Sequence, residues 1–190
     1  MFGLFELTLW QNANIMIDSL LSDIPRERII VPTKTILLEA GAVSIHMYLI
    51  RSGCARLWYN NNGEDITLQF FMPGQVVASF DSILHNIPSE FTLETILPTE
   101  VEVFEKRDIE AAFKQNAESS MQLAMQAFEL ASKYKNLFLS RIKDTPQQRY
   151  ESLLREHPDI VAQIPQHYIA TYLGVTPVSL SRIRARIGKS

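Results

Sequence analysis

Glycine and proline divide this sequence into two sharply different regions. Between Ile29 and Phe104 turn signals recur about every ten residues, at 40–41, 52–53, 61–63 and 73–74. From Asp108 to Thr145 the chain contains neither glycine nor proline. Because these two residues punctuate strands and interrupt helices, the first region predicts short strands and the second predicts a long helix.

The segments between the turn signals have the composition of strands. Residues 35–38, 46–50 and 67–71 are rich in β-branched, aromatic and aliphatic side chains. Asn62 and Gly63, which both tolerate a positive φ, lie between two such segments and predict a β-hairpin. Many short strands at this spacing indicate a β-sandwich or β-roll.

The long helix carries two adjacent apolar stripes. The first stripe has spacings of three and four residues and contains Met121, Ala124, Phe128, Ala131, Lys135, Phe138 and Ile142. The second contains Leu123, Ala127, Leu130, Tyr134 and Leu137. A helix with two such faces can pack on its own domain and on a second copy of itself, so we expect a parallel dimer helix. Burial of the helix against one domain alone is the alternative.

A short helical tail follows this helix. The segment Asp144–Pro146 should interrupt the long helix and provide a hinge, because proline cannot continue it. Residues 147–156 then predict a short helix that stops at His157 and Pro158.

The tail also reverses the charge of the chain. Residues 1–140 hold 10 Lys and Arg against 17 Asp and Glu, net −7, whereas residues 141–190 hold 8 against 4, net +4. The overall charge of −3 therefore hides a basic end on an acidic body. This asymmetry is typical of a module that contacts nucleic acid.

The spacing of small and apolar residues after Gln166 is that of a helix-turn-helix. Such a motif needs a small residue where its helices touch, a glycine in the turn and apolar residues at fixed positions. Counting Gln166 as the first position, the matching residues are Ile169 (fourth), Ala170 (fifth), Leu173 (eighth), Gly174 (ninth), Val175 (tenth), Leu180 (fifteenth) and Ile183 (eighteenth).

The second helix of this motif should carry the surface that contacts DNA. Thr176 can cap it and Pro177 suits its first position. We expect Arg182 to approach a guanine edge, Ser179 a base or phosphate, and Arg186 with Lys189 the backbone. The predicted DNA-binding residues are Thr176, Val178, Ser179, Arg182, Arg186 and Lys189. A solvated basic surface helix with no DNA role is the alternative.

The order of these parts resembles the Crp/Fnr family of transcription regulators over essentially the whole chain. The segments that carry the resemblance are 48–57, the hairpin 62–65, the run 72–77 and Leu180–Ile183. The resemblance implies an α+β fold: an N-terminal double-stranded β-helix (jelly roll) like cyclic nucleotide-binding domains, a long dimerisation helix and a C-terminal winged-helix-like helix-turn-helix domain. We expect the boundaries at 1–116, 117–144 and 145–190.

The ligand cassette departs from the family pattern. In members that bind cyclic nucleotides a Gly-Glu pair holds the ribose and an Arg-Ser or Arg-Thr pair neutralises the phosphate. Here Ala78-Ser79 and Ser89-Glu90 stand at those places, so a carboxylate replaces a cation and cyclic AMP should not bind in the usual way. The predicted pocket for another ligand is lined by Ser79, Ser89, Glu90, Gln126 and Lys133. The alternative is a vestigial pocket closed by Phe80 and Phe91.

Counts and spacings argue against an enzyme or a metalloprotein. The single Cys54 cannot anchor an iron-sulfur cluster, and His46, His85, His157 and His167 lack metal-binding spacing. We expect no metal and no cofactor.

The opening Met1–Trp10 is too short to cross a bilayer and is expected to be a docked helix in a cytoplasmic protein with no membrane partner. The expected partners are double-stranded DNA, a second copy of the chain and an unidentified small-molecule effector, with RNA polymerase as a further candidate. An effector-independent regulator and a protein-interaction module on the same fold are the alternatives.

Overall fold

The computed structural model describes residues 21–115, 125, 128, 131–132 and 135–188. The expectations for Met1–Trp10, for the site residues Gln126, Lys133 and Lys189, and for half of the twelve members of the two helical stripes concern residues outside these ranges. Within the described ranges, no helix is both long enough and apolar enough to span a lipid bilayer.

Strands dominate the first half of the described chain, as the turn spacing predicts. They are β1 Glu27–Val31, β2 Ile36–Leu38, β3 His46–Ser52, β4 Ala55–Asn61, β5 Glu64–Phe71, β6 Val76–Val77, β7 Thr92–Thr95 and β8 Thr99–Glu105. They form two four-stranded sheets with the orders β1-β8-β3-β6 and β2-β7-β4-β5, and every pairing is antiparallel. The first sheet is called sheet A below and the second sheet B.

The β-roll encloses a core to which both sheets contribute. Tyr48, Ile50 and Val101 from sheet A are buried against Phe71 and Leu93 from sheet B. Each aliphatic or aromatic side chain removed from water in this way stabilises the fold by about 1.5–3 kcal/mol. The predicted β-roll is therefore confirmed.

Two turns explain why the strands pair in this register. Asn62 and Gly63 have φ values of 54° and 95°, and they close the predicted hairpin between β4 and β5. Gly53, between β3 and β4, has a φ of 81°. A Cβ atom at this position would overlap the carbonyl oxygen of Pro98 and lie 2.7 Å from the Thr99 hydroxyl oxygen, so only glycine fits.

The remaining elements are helices. They are α1 Phe80–His85, α2 Lys106–Gln115, α3 Pro146–Glu156, α4 Pro158–Val161, α5 Gln166–Leu173 and α6 Pro177–Ile187. The described residues between 125 and 143 are also helical. Residues 146–188 contain helices and turns but no strand.

The predicted break near Pro146 is present and well defined. Thr145 caps α3: its hydroxyl accepts a hydrogen bond from the Gln148 amide at 3.3 Å, and the Gln148 side chain accepts one from the Thr145 amide at 2.8 Å. This reciprocal capping box, with Pro146 in the first turn, fixes where the helical tail begins. With a β-roll followed by helices, the predicted α+β class is confirmed.

Candidate nucleic-acid interface

The turn between α5 and α6 has the geometry that the sequence predicts. Gly174 adopts a left-handed conformation with a φ of 68°, and the amide of Val175 donates to the Ala170 carbonyl at 3.0 Å. The Arg149 guanidinium donates to the Leu173 carbonyl at 2.7 Å and to the Asp144 carbonyl at 2.6 Å. The bonds to Ala170 and Leu173 satisfy carbonyls that would otherwise be unpaired at the end of α5, and the bond to Asp144 connects Arg149 to the predicted hinge.

The start of α6 is marked by the two residues that the sequence indicates. Thr176 is the N-cap residue, and its hydroxyl accepts a hydrogen bond from the Ser179 amide at 3.2 Å. Pro177 occupies the first helical position, where the missing N–H costs no hydrogen bond. Thr176 and Ser179 therefore hold the beginning of the helix as well as lying on its exposed side.

A buried apolar seam orients α6. Leu180 is 1% exposed and Ile183 is 8% exposed, and both pack with Ile169, Ala170 and Leu173 of α5. Ile187 is partly buried against the same cluster. Burial of the seam fixes which side of α6 faces solvent, since a helix repeats its faces every three to four residues.

The side of α6 opposite this seam is exposed and basic. Val178 is 62% exposed, Ser179 is half-buried, and Thr176, Arg182 and Arg186 are exposed. The segment from Gln166 to Ile187 holds three arginines and no acidic residue. The predicted DNA-binding residues within the described chain therefore lie on one side of the motif. Because residues 166–187 contain no Asp or Glu, no carboxylate of this segment would repel a polyanion there.

Sequence reasoning missed a depression next to the exposed basic side of α6. A shallow depression of about 480 Å³ lies between the start of α5 and the outer side of α6. Its lining residues are Gln166, Pro177, Ser181, Arg184 and Ala185. Gln166, which the sequence indicates only as the first position of the motif, lines this depression together with the cation of Arg184 and the hydroxyl of Ser181, and such groups bind phosphate oxygens in DNA complexes.

The residues predicted to line a ligand pocket have different environments. Ser89 is 4% exposed, and its hydroxyl donates to the Phe91 carbonyl at 2.9 Å and accepts from the Phe91 amide at 3.2 Å. Ser79 is half-buried and begins α1, while Glu90 is exposed. The Ser89 hydroxyl is thus already engaged by local backbone, which reduces what it can offer to a ligand.

The contact between the helical tail and the β-roll was also missed. Arg56 lies in an apolar stretch of β4, is 2% exposed, and contacts both Glu94 of β7 and Tyr168 of α5. A charge within an otherwise apolar strand is the signal that could have suggested a buried pair. Its partners are 38 and more than 100 positions away in sequence, so spacing alone could not identify them.

The described members of the first helical stripe are exposed within one chain. Phe128 is 75%, Phe138 is 65% and Ile142 is 65% exposed, and Met125 beside them is 57% exposed. Large side chains aligned on one helical side are rarely left in water without a partner. The alternative in which this stripe packs on its own domain does not agree with these exposures.

Comparison with known proteins agrees with this architecture. Residues 28–116 match the family described as the cyclic nucleotide-binding domain. FixK2 from Bradyrhizobium japonicum superposes with a TM-score of 0.75 at 16% identity, over 87% of this chain and 86% of that protein. A protein described as a Crp/Fnr family transcriptional regulator, from Eubacterium rectale, gives 0.69 at 21% identity, over 95% and 86%. No curated protein sequence matches this chain.

A third structure, the c-di-GMP-responsive regulator CLP from Xanthomonas campestris, gives a TM-score of 0.63 at 14% identity, over 92% of this chain and 91% of that one. The class is therefore a cyclic nucleotide-binding type β-roll joined to a helix-turn-helix. The chain has the fold of the Crp/Fnr transcription regulators, so the predicted resemblance to that family is confirmed.

Proposed function

We propose that this chain is a sequence-specific regulator that binds double-stranded DNA as a homodimer in the cytoplasm. The observation that carries the proposal is the exposed basic side of α6, held outward by the buried Leu180 and Ile183. A helix of this size and charge fits the major groove of DNA, where base edges present a distinct pattern of donors and acceptors.

Each exposed residue of α6 has a role in this proposal. Arg182 makes two hydrogen bonds to a guanine edge, and Ser179 contacts a base or a phosphate. Arg186 and Lys189 contact the backbone, and Thr176 and Val178 lie where the helix enters the groove. Gln166 and Arg184, at the depression between α5 and α6, add a second place for a phosphate oxygen.

The exposed stripe of Phe128, Phe138 and Ile142 supports a dimer. Two copies of this helical side would bury the apolar side chains against each other, as heptad spacing allows. A parallel pair would place two α6 helices about 34 Å apart, one turn of DNA, on a near-palindromic site. In this proposal residues 1–116 are the sensor, 117–144 the dimerisation helix and 145–190 the DNA-binding domain.

The effector in this proposal is a small molecule other than cyclic AMP bound in the usual way. Ala78-Ser79 and Ser89-Glu90 replace the residues that hold ribose and phosphate, and the Ser89 hydroxyl is bonded to backbone. Calorimetric titration of the full chain with cyclic AMP should give no heat of binding. Saturable binding at micromolar concentration would contradict this part of the proposal.

Selection of bound duplexes from a random DNA pool tests the whole proposal. We expect an enriched near-palindrome with half-sites centred about 10 base pairs apart. The Arg182→Ala variant should lose enrichment at particular positions, whereas the Arg107→Ala variant removes an exposed arginine of the sensor domain and should enrich the same site. No enrichment by the unaltered chain, with or without a cell extract of small molecules, would favour the protein-interaction module instead.

A further inference from the structure

Strand β5 is an edge strand of sheet B, and α5 occupies the place of a neighbouring strand. The Thr67 amide donates to the Thr171 hydroxyl at 3.3 Å, and that hydroxyl lies 3.1 Å from the Thr67 hydroxyl. The next carbonyl, that of Leu68, accepts a hydrogen bond from Arg141 at 2.9 Å. An unpaired strand edge is a row of donors and acceptors, so these contacts join α5 and the end of the long helix to the sheet at a defined register.

Arg56 lies at the centre of this contact and bridges the two domains. Its Nε and Nη2 atoms donate to one Glu94 oxygen at 2.9 and 2.7 Å. Its guanidinium carbon lies 3.9 Å from the centre of the Tyr168 ring and 4.8 Å from that of Trp58. A planar guanidinium can donate hydrogen bonds in its plane and contact aromatic rings on its faces. The Arg56 side chain can therefore bond to Glu94 and hold Tyr168 of α5 in place at the same time.

The energetic role of this arrangement is orientation rather than added stability. A buried ion pair recovers little more than the cost of removing both charges from water, but it tolerates few alternative geometries. Around it, the rings of Phe70 of β5 and Tyr172 of α5 pack at a tilt of 47° with their centres 5.1 Å apart. Cys54, Met72 and other β-roll residues join the core of the helical tail in one apolar cluster.

Docking through α5 leaves the recognition side of α6 uncovered. Tyr168, Thr171 and Tyr172 make the contacts with the β-roll, whereas Arg182 and Arg186 are exposed in the same structure. The docked arrangement is therefore compatible with DNA binding and does not occlude the basic side.

We infer that Arg56 is a positioning residue for DNA recognition: it fixes the orientation of α5, and through it α6, against the β-roll. This inference rests on the proposed function and names the sensor residues that set the geometry of the two recognition helices in a dimer. If α5 and α6 can change their orientation against the β-roll, both α6 helices of a dimer must first be ordered before they can enter successive grooves. The affinity of the dimer for a palindrome then falls. A single helix-turn-helix bound to one half-site does not carry that cost.

The test uses the full-length double variant R56M/E94Q, which removes both charges so that no buried carboxylate is left unpaired. Its matched control is R28M/E100Q, which removes an ion pair between β1 and β8 of the other sheet. Cysteines placed at the exposed Asp81 and Arg155 carry spin labels, and the buried Cys54 stays unlabelled. Pulsed spin-resonance distances and DNA affinities are then measured on the same proteins.

We expect a narrow distance distribution for the unaltered chain and the control, and a broad one for R56M/E94Q. Affinity of R56M/E94Q for the palindrome should fall about tenfold, while affinity for a half-site changes less than about twofold. The R56K variant keeps the charge without the planar face and should give an intermediate distribution.

An unchanged distance distribution in R56M/E94Q would overturn the inference, whatever the DNA affinities are. Equal loss of affinity for palindrome and half-site would also overturn it, because Arg56 would then support only the fold of the DNA-binding domain. Failure of the unaltered chain to bind any DNA would instead refute the proposed function. The spin-label distances would still decide whether Arg56 fixes the docking of the domains.

Discussion

The Arg56 guanidinium lies over the Tyr168 ring, with 3.9 Å between the guanidinium carbon and the ring centre, and so connects the β-roll to the first helix of the helix-turn-helix. The two residues are on different domains and are more than 100 positions apart in sequence. Tyr168 in turn packs in the cluster that contains Leu180 and Ile183. Side-chain contacts therefore run from Arg56 of sheet B through Tyr168 of α5 to the cluster that contains Leu180 and Ile183 of α6.

Replacing Gly53 by alanine should strongly destabilise the β-roll. The substitution imposes a positive φ on a side-chain-bearing residue and places its Cβ against Pro98 and Thr99, with a combined cost of about 2–4 kcal/mol. Gly41 also has a positive φ, but a Cβ there meets nothing within 4 Å, so Gly41→Ala should cost only about 1–2 kcal/mol. Urea unfolding measures the free energy of unfolding of both variants. Equal losses of stability in the two variants would contradict the steric argument.

Cys54 should resist thiol reagents in the folded protein. Burial raises the pKa of its thiol to about 12, so almost no thiolate forms near neutral pH. We expect no reaction with a disulfide reagent at about pH 8 until the chain is unfolded, when one thiol reacts. Asp81→Cys, at an exposed position, provides the reactive control, and fast labelling of native Cys54 would show that the core around it opens.

Stability should decline as the solution is acidified below about pH 6.5. Burial lowers the pKa of His157, and burial with the nearby charges of Arg56 and Lys34 lowers the pKa of His167. At a pH between the unfolded-state and folded-state pKa values, these two histidines bind more protons in the unfolded chain than in the folded chain. The free energy of unfolding therefore decreases as pH falls toward the folded-state pKa values.

Urea midpoints at several pH values between about 8 and 5.5 measure this decline. The double variant H157Q/H167Q should flatten it, whereas H85Q, at an exposed position, should not. If H157Q/H167Q loses as much stability on acidification as the unaltered chain, titratable groups other than these two histidines cause the decline.

Replacing Phe138 by glutamate should separate the dimer. Because Phe138 is 65% exposed in one chain, the change leaves the chain's own core intact but puts a charge into the proposed helix pair. Leu84→Glu, at a residue 72% exposed on α1, is the matched control. Sedimentation equilibrium should show a monomer for the first variant and a dimer for the control, whereas two dimers would place the dimer contact elsewhere.

Features set by neighbouring residues could be predicted from the sequence. The hairpin at Asn62 and Gly63, the capped helix start after Thr145 and the glycine turn at Gly174 each follow from local backbone preferences. The exposed side of α6 follows from the helical repeat once Leu180 and Ile183 are assigned to the core.

Contacts between distant segments could not be predicted in the same way. The bond between Thr67 and Thr171 spans 104 positions, and neither residue has a distinctive sequence environment. Ser89 illustrates a different difficulty, because the family resemblance places it in a ligand cassette whereas its hydroxyl is bonded to the Phe91 backbone. Which hydrogen bond a serine makes depends on the local fold, and composition does not reveal it.

The most direct test of the central claim is the affinity of Arg182→Ala for the selected DNA site and for a site with one base pair changed, at two salt concentrations. We predict that discrimination between the sites falls by about 1–3 kcal/mol, while Lys189→Ala mainly reduces the salt dependence and Arg107→Ala changes neither. Equal losses on every DNA for Arg182→Ala, or unchanged discrimination, would contradict the assignment of the basic side of α6 as the surface that reads DNA sequence.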